Sequence, residues 1–161
     1  ISAFGLSENL GIDPKEAKAF IDKYLETFPG IKEFMEGVVK KARFKGYAET
    51  IFKRRRYIPE LLSKNFVERS LGERLAMNTP IQGSAADIIK IAMINVYRRI
   101  KKENLKSKLI IQVHDELIFT VKPDELDNMI ILVKEEMENA VMLKAPLKVA
   151  INYGHNWYEA K

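Results

Sequence analysis

Two apolar runs, Leu109 to Val113 and Leu117 to Val121, are separated only by His114-Asp115-Glu116. Runs this short and this apolar read as strands, and so brief a connection admits only a tight hairpin. Any fold for this chain must therefore accommodate an antiparallel pair with an acidic tip. Because the runs are apolar on both faces, the expectation is that a surrounding core holds the tip rigid.

The segments around the hairpin repeat with helical spacing. Asp13-Pro14-Lys15-Glu16 is a helix start: Asp13 suits the cap, Pro14 the first helical position, and Glu16 completes a capping box. Ala17, Phe20, Ile21, Tyr24, Leu25 and Phe28 follow at helical intervals until Pro29-Gly30 interrupts. Ile31, Phe34, Met35, Val38, Val39 and Ala42 repeat the pattern up to Gly46. This predicts a helical hairpin. A further helix is expected from about Phe66 to Met77, stopping before Pro80. Ser84 with Asp87 opens another, largely buried helix to about Lys102. Asp124 to Val141 is amphipathic, and Leu147 to Ile151 reads as a final strand. Helices first, then helix–strand–strand–helix–strand, gives an α+β fold with helices covering a small antiparallel sheet.

Composition narrows the functional classes. The chain has 161 residues, 47% hydrophobic and 30% charged, enough for one domain's core. No apolar run approaches the roughly 18 residues of a membrane span, and no signal peptide is visible. Cysteine is absent, which excludes disulfides and thiolate metal sites. The net charge of +5 is unevenly spread. Lys40 to Arg56 holds eight basic residues and one acid, whereas Gln112 to Lys161 holds nine acids and five bases. The first region suits a polyanion or is a solvated charged surface; the second concentrates carboxylates. The chain begins at Ile1 rather than Met and reads as a fragment or a processed piece.

Three groups of residues bear on chemistry. Asp115 and Glu116 are adjacent carboxylates at the expected hairpin tip. Either they form a solvated turn, or a divalent cation relieves their repulsion, with Mg²⁺ matching such oxygen donors. Arg74 and Asn78 are four apart and share a helix face, and Gln82 follows four residues later. All three donate hydrogen bonds. Every Watson–Crick pair offers minor-groove acceptors, so such donors can sense pair shape; they serve equally as caps or surface polarity. Lys53-Arg54-Arg55-Arg56-Tyr57 can grip phosphates, or is a surface patch or processing-type signal.

Taken in order, these segments resemble family A DNA polymerases, the bacterial DNA polymerase I type. Gln112-Val113-His114-Asp115-Glu116-Leu117 is similar to the family's third motif. The stretch from Glu73 to Asp87 resembles the block before the long palm helix, and Arg54-Arg55-Arg56-Tyr57-Ile58-Pro59 the basic loop. Ser2-Ala3-Phe4-Gly5-Leu6-Ser7 resembles the segment after the nucleotide-binding fingers helix, and Gly154 to Trp157 the extreme C-terminus. Two positions depart: Lys53 stands where Gly is usual, which puts the loop's geometry in question, and Ser84 where Thr is common, which keeps a hydroxyl cap.

The resemblance implies a C-terminal fragment of a DNA polymerase. Residues 1–80 would be the end of the fingers, with the basic loop at 47–59, and residues 81–161 part of the palm. The whole enzyme would extend a primer on template DNA with deoxynucleoside triphosphates and two Mg²⁺, in the bacterial cytoplasm with the nucleoid. Asp115 would bind metal with Glu116 as an accessory carboxylate. His114 would lie near the primer terminus, Arg74, Asn78 and Gln82 along the minor groove, and Arg54, Arg55 and Arg56 on phosphates. The family's other metal-binding Asp and its triphosphate-gripping helix find no match in this chain, so the fragment alone is expected to be inactive. A non-catalytic DNA-binding module is the alternative, as is a natural half that assembles with an N-terminal part.

Overall fold

The computed structural model describes residues 2–160 and confirms the α+β class. Its helices are α1 (Ala3–Leu10), α2 (Pro14–Thr27), α3 (Pro29–Lys45), α4 (Phe66–Asn78), α5 (Ser84–Lys102) and α6 (Leu126–Glu138). Strands β1 (Tyr47–Glu49) and β2 (Arg55–Tyr57) form one two-stranded sheet, and β3 (Lys108–Val113) and β4 (Glu116–Thr120) another. The chain divides into two compact units, residues 1–48 with 55–79, and residues 49–54 with 80–161. No described helix is long and apolar enough to cross a membrane.

In the first unit the boundaries follow local chemistry. Asp13 accepts the Lys15 amide at 2.7 Å, and Pro14 occupies the first turn of α2. Gly46 ends α3 in the left-handed region at φ 78°, where a side chain would be strained. Helix α1 was not expected from periodicity. Its signals are the Ser2 cap, which accepts the Gly5 amide, and left-handed Gly11. Ala42, Ala48, Ile58, Leu61 and Ala76 form the core, with Val38, Val39 and Leu75 against it. Tyr24 and Phe28 stack tilted with centroids 5.0 Å apart, yet both stay half exposed, as do Phe20 and Phe34. The α2–α3 apolar stripe is thus only partly covered within this unit.

In the second unit, α5 and α6 pack through Val96, Ile100, Met129, Leu132 and Val133. Phe119 and Val121 join that core from the hairpin side. Four expectations need correction here. Leu147 to Ile151 is not a strand among the described residues; Val149 donates its amide to the Glu138 side chain instead of a ladder partner. The chain does not leave helical geometry before Pro80. Thr79–Gly83 widens into a π-turn, which accommodates a residue lacking an N–H, and runs directly into α5. Ser84 consequently caps nothing, because Gly83 is already helical and no free N-terminus exists. The hairpin is also less enclosed than apolar composition suggested: Ile110 is 58% and Ile111 47% exposed.

Candidate functional site

The hairpin tip is built by register. Val113 pairs with Glu116, leaving His114-Asp115 as a two-residue turn. A register irregularity between Leu109 and Ile111 places a bulge in β3, which adds twist below the tip. His114 adopts φ +53° whereas Asp115 does not have positive φ. Positive φ at the first central position alone is the pattern of a type II′ turn, where glycine is usual. Histidine tolerates it at a cost, and the Gln112 side-chain amide supports it by donating to the His114 carbonyl at 2.6 Å. His114, Asp115 and Glu116 are all exposed at the tip.

Asp115 and Glu116 fit a hard divalent cation in donor type, since both present carboxylate oxygens to solvent. In number they fall short. Among the described residues no group of three or more His, Cys, Asp or Glu side chains comes together to hold an ion. By themselves the two carboxylates are at most part of a ligand set for such an ion.

Arg74 and Asn78 lie on α4 in the first unit, both exposed and one turn apart, as their spacing predicted. Gln82 is exposed in the π-turn of the second unit. Helix α4 is set on the 3₁₀ turn Pro59–Leu62 through Gly72, where a Cβ would come within 2.8 Å of the Leu61 amide nitrogen. Arg43 and Glu73 form an ion pair one residue before Arg74.

The basic loop has an architecture that sequence reasoning missed. Thr50 N donates to the Arg54 carbonyl, and Lys53 N to the Thr50 carbonyl, each at 3.0 Å. Ile51-Phe52-Lys53 is thus a three-residue connection whose last member, Lys53, is left-handed at φ +65°. Glycine is favoured there for the same reason, so the departure at Lys53 preserves the turn and strains it. Asp87, expected only to open α5, instead points its buried carboxylate at this loop. It accepts from Thr50 Oγ1 at 2.8 Å and from Arg54 Nε at 2.6 Å. Ser84 Oγ accepts the Ile51 amide at 3.0 Å and donates to the Pro80 carbonyl. The signal was available: an acid among Ala85, Ala86, Ile88 and Ile89 requires a partner if buried. In the first unit, Arg55 lies over the Tyr47 ring, 4.7 Å from its centroid, and Arg56 is exposed.

Comparison with known proteins places the chain in a family. Residues 1–159 match the family model described as DNA polymerase family A. The chain is 57% identical to DNA polymerase I of Bacillus subtilis (strain 168) and 54% identical to DNA polymerase I of Bacillus caldotenax, in each case over all 161 residues. It spans 18% of the length of each of these relatives. Among solved structures it is similar to the POL domain of Pol1 from M. smegmatis in complex with DNA primer-template and dNTP. That match has a TM-score of 0.95 at 48% identity and covers 99% of this chain and 28% of that one.

Proposed function

The chain belongs to DNA polymerase family A, and from that membership we propose that it is the part of a DNA-directed DNA polymerase that carries the palm's acidic hairpin and a basic DNA-gripping loop. The observation that carries this reading is the strained, braced turn at His114-Asp115. Backbone strain at an exposed acidic tip is costly for a structural turn and useful for holding carboxylates in one place.

The reaction is transfer of a nucleotide to a primer 3′ end. The 3′ oxygen bonds to the α-phosphorus of a deoxynucleoside triphosphate, the bond to the β-phosphate oxygen breaks, and pyrophosphate leaves. The 3′ hydroxyl proton passes to solvent. Asp115 would hold a divalent metal ion, and Glu116, at the start of β4, would assist it. When bound, a pair of Mg²⁺ ions supplies charge neutralisation for the attacking oxygen and the leaving pyrophosphate. His114 contacts the primer terminus. Arg74, Asn78 and Gln82 donate to minor-groove acceptors near the terminal pair, which every correct pair presents alike. Arg54, Arg55 and Arg56 engage phosphates. Residues 1–80 serve as the end of the fingers and 81–161 as palm, in the cytoplasm of a bacterium with its nucleoid DNA.

This chain contributes one metal-binding aspartate and by itself does not extend primers. The test mixes the chain with the complementary N-terminal segment of a relative and measures Mg²⁺-dependent primer extension. Extension should require both parts, and Asp115→Ala should abolish it while DNA binding persists. Templated extension by the 161-residue chain alone, or unchanged activity in Asp115→Ala, would overturn the reading. The second reading, a DNA-binding module without catalysis, draws on the incomplete ligand set at the tip. It predicts DNA binding with no extension in the reconstituted mixture.

A further inference from the structure

Asp87 has no part in the chemistry above, yet it is the most deeply buried carboxylate attached to the basic loop. Its side chain is 4% exposed, and that of its ion-pair partner Arg54 is 61% exposed. An unpaired carboxylate at that depth would be strongly disfavoured, so its two bonds are structural necessities. They are also only the centre of a network. Thr50 Oγ1, while donating to Asp87, accepts the amides of Phe52 and Arg54 at 3.2 Å each. Ser84, three residues before Asp87 on α5, takes the Ile51 amide. The first turn of α5 thus holds Thr50, Ile51 and Arg54 together and sets a loop containing a left-handed lysine.

We infer that Asp87 is a positioning residue for nucleic-acid binding, its carboxylate pre-setting the 50–54 turn so that Arg54 is presented to phosphate. This rests on the proposed reading of the basic loop as a DNA grip and adds a residue to it. A loop shaped before binding loses less conformational freedom when DNA arrives. The expected effect of removing the Asp87 charge is opposite in sign to simple electrostatics. Removing an acid beside a cationic segment should tighten binding to a polyanion. If Asp87 positions Arg54, removing its charge weakens binding instead.

The experiment is fluorescence anisotropy of the chain with a labelled primer-template duplex across a salt series. Asp87→Asn is expected to weaken binding about fivefold, the scale of one lost charge-assisted hydrogen bond. The slope of log K against log salt should fall by about one contact. In an Arg54→Ala background Asp87→Asn should add no further loss, whereas independent effects would sum. Thr50→Val should weaken binding and Thr50→Ser should restore it. Unchanged or tighter binding by Asp87→Asn, with Arg54→Ala and Arg56→Ala both weakened, overturns the inference and leaves the DNA-grip reading standing. If neither arginine variant weakens binding, the DNA-grip reading itself fails. Should Asp87→Asn lose its helical circular dichroism, the Thr50 pair decides: equal binding by Thr50→Val and Thr50→Ser overturns the inference.

Discussion

The Gln112 side-chain amide donates a 2.6 Å hydrogen bond to the carbonyl oxygen of His114, the residue that holds the acidic hairpin tip at φ +53°. One side chain of β3 thereby braces the turn that positions Asp115. Gln112→Leu should remove this brace and destabilise the chain by about 1 kcal/mol. Adding His114→Gly should recover a similar amount, because glycine adopts positive φ without strain. Urea denaturation of the single and double variants tests the pair. Indistinguishable midpoints for wild type and Gln112→Leu would show that the bond contributes nothing to the tip.

Lys53 stands at φ +65° in a three-residue connection where glycine is the unstrained choice. Lys53→Gly should raise stability by about 1 kcal/mol, the scale of the left-handed penalty for a side chain. It also removes one positive charge, so DNA affinity at low salt should fall slightly even as the melting temperature rises. A lower melting temperature would mean that the lysine side chain makes a stabilising contact that outweighs its backbone strain.

Gly72 permits the close approach of α4 to the 3₁₀ turn Pro59–Leu62. A Cβ there meets backbone, the Leu61 nitrogen at 2.8 Å and the Glu60 carbonyl carbon at 3.0 Å. Backbone cannot swing aside as a flexible side chain can, so the clash exceeds the roughly 1 kcal/mol that alanine gains in helix propensity. Gly72→Ala should be net destabilising by about 2 kcal/mol. Thermal unfolding measures it, and a melting temperature at or above wild type would contradict this packing.

Glu125 ties the start of β3 to the turn before α6. Its carboxylate accepts the Lys106 amide at 2.7 Å and the Ser107 amide and hydroxyl at 2.8 and 2.6 Å. The Lys106 amide, and after it the Ser107 hydroxyl, hold its pKa below the ordinary carboxylate value. A depressed carboxylate stabilises the fold when ionised, so its contribution is full at neutral pH. The contribution is lost as pH falls through the folded-state value. Glu125→Gln should therefore melt below wild type at pH 7, with the gap closing once pH drops below about 4. A gap that stays constant or widens in acid would contradict the assignment.

Much of this protein was legible without coordinates because the controlling interactions are local. Asp13 and Pro14 start α2, Gly46 ends α3, and the interval between Val113 and Leu117 leaves room only for a tight turn. Each depends on residues a few positions apart, so spacing and stereochemistry suffice. The same locality put Arg74 and Asn78 on one helix face and made the segments recognisable in order.

What the tertiary structure alone decided depends on partners distant in the chain. Leu147 to Ile151 has strand-like composition, but a strand exists only with a neighbour to pair with, and Val149 finds a Glu138 side chain instead. Asp87 looked like a helix-opening residue because its partners, Thr50 and Arg54, lie 37 and 33 residues earlier. The positive φ at His114 carried no sequence signal, whereas Lys53, standing where Gly is usual, marked its loop without giving the conformation that its closing bonds impose. Sequence determined which residues stand in the acidic turn and the basic loop. Folding decided how each is held, because the burial of Asp87 against Thr50 and Arg54 is a non-local contact that no spacing rule encodes.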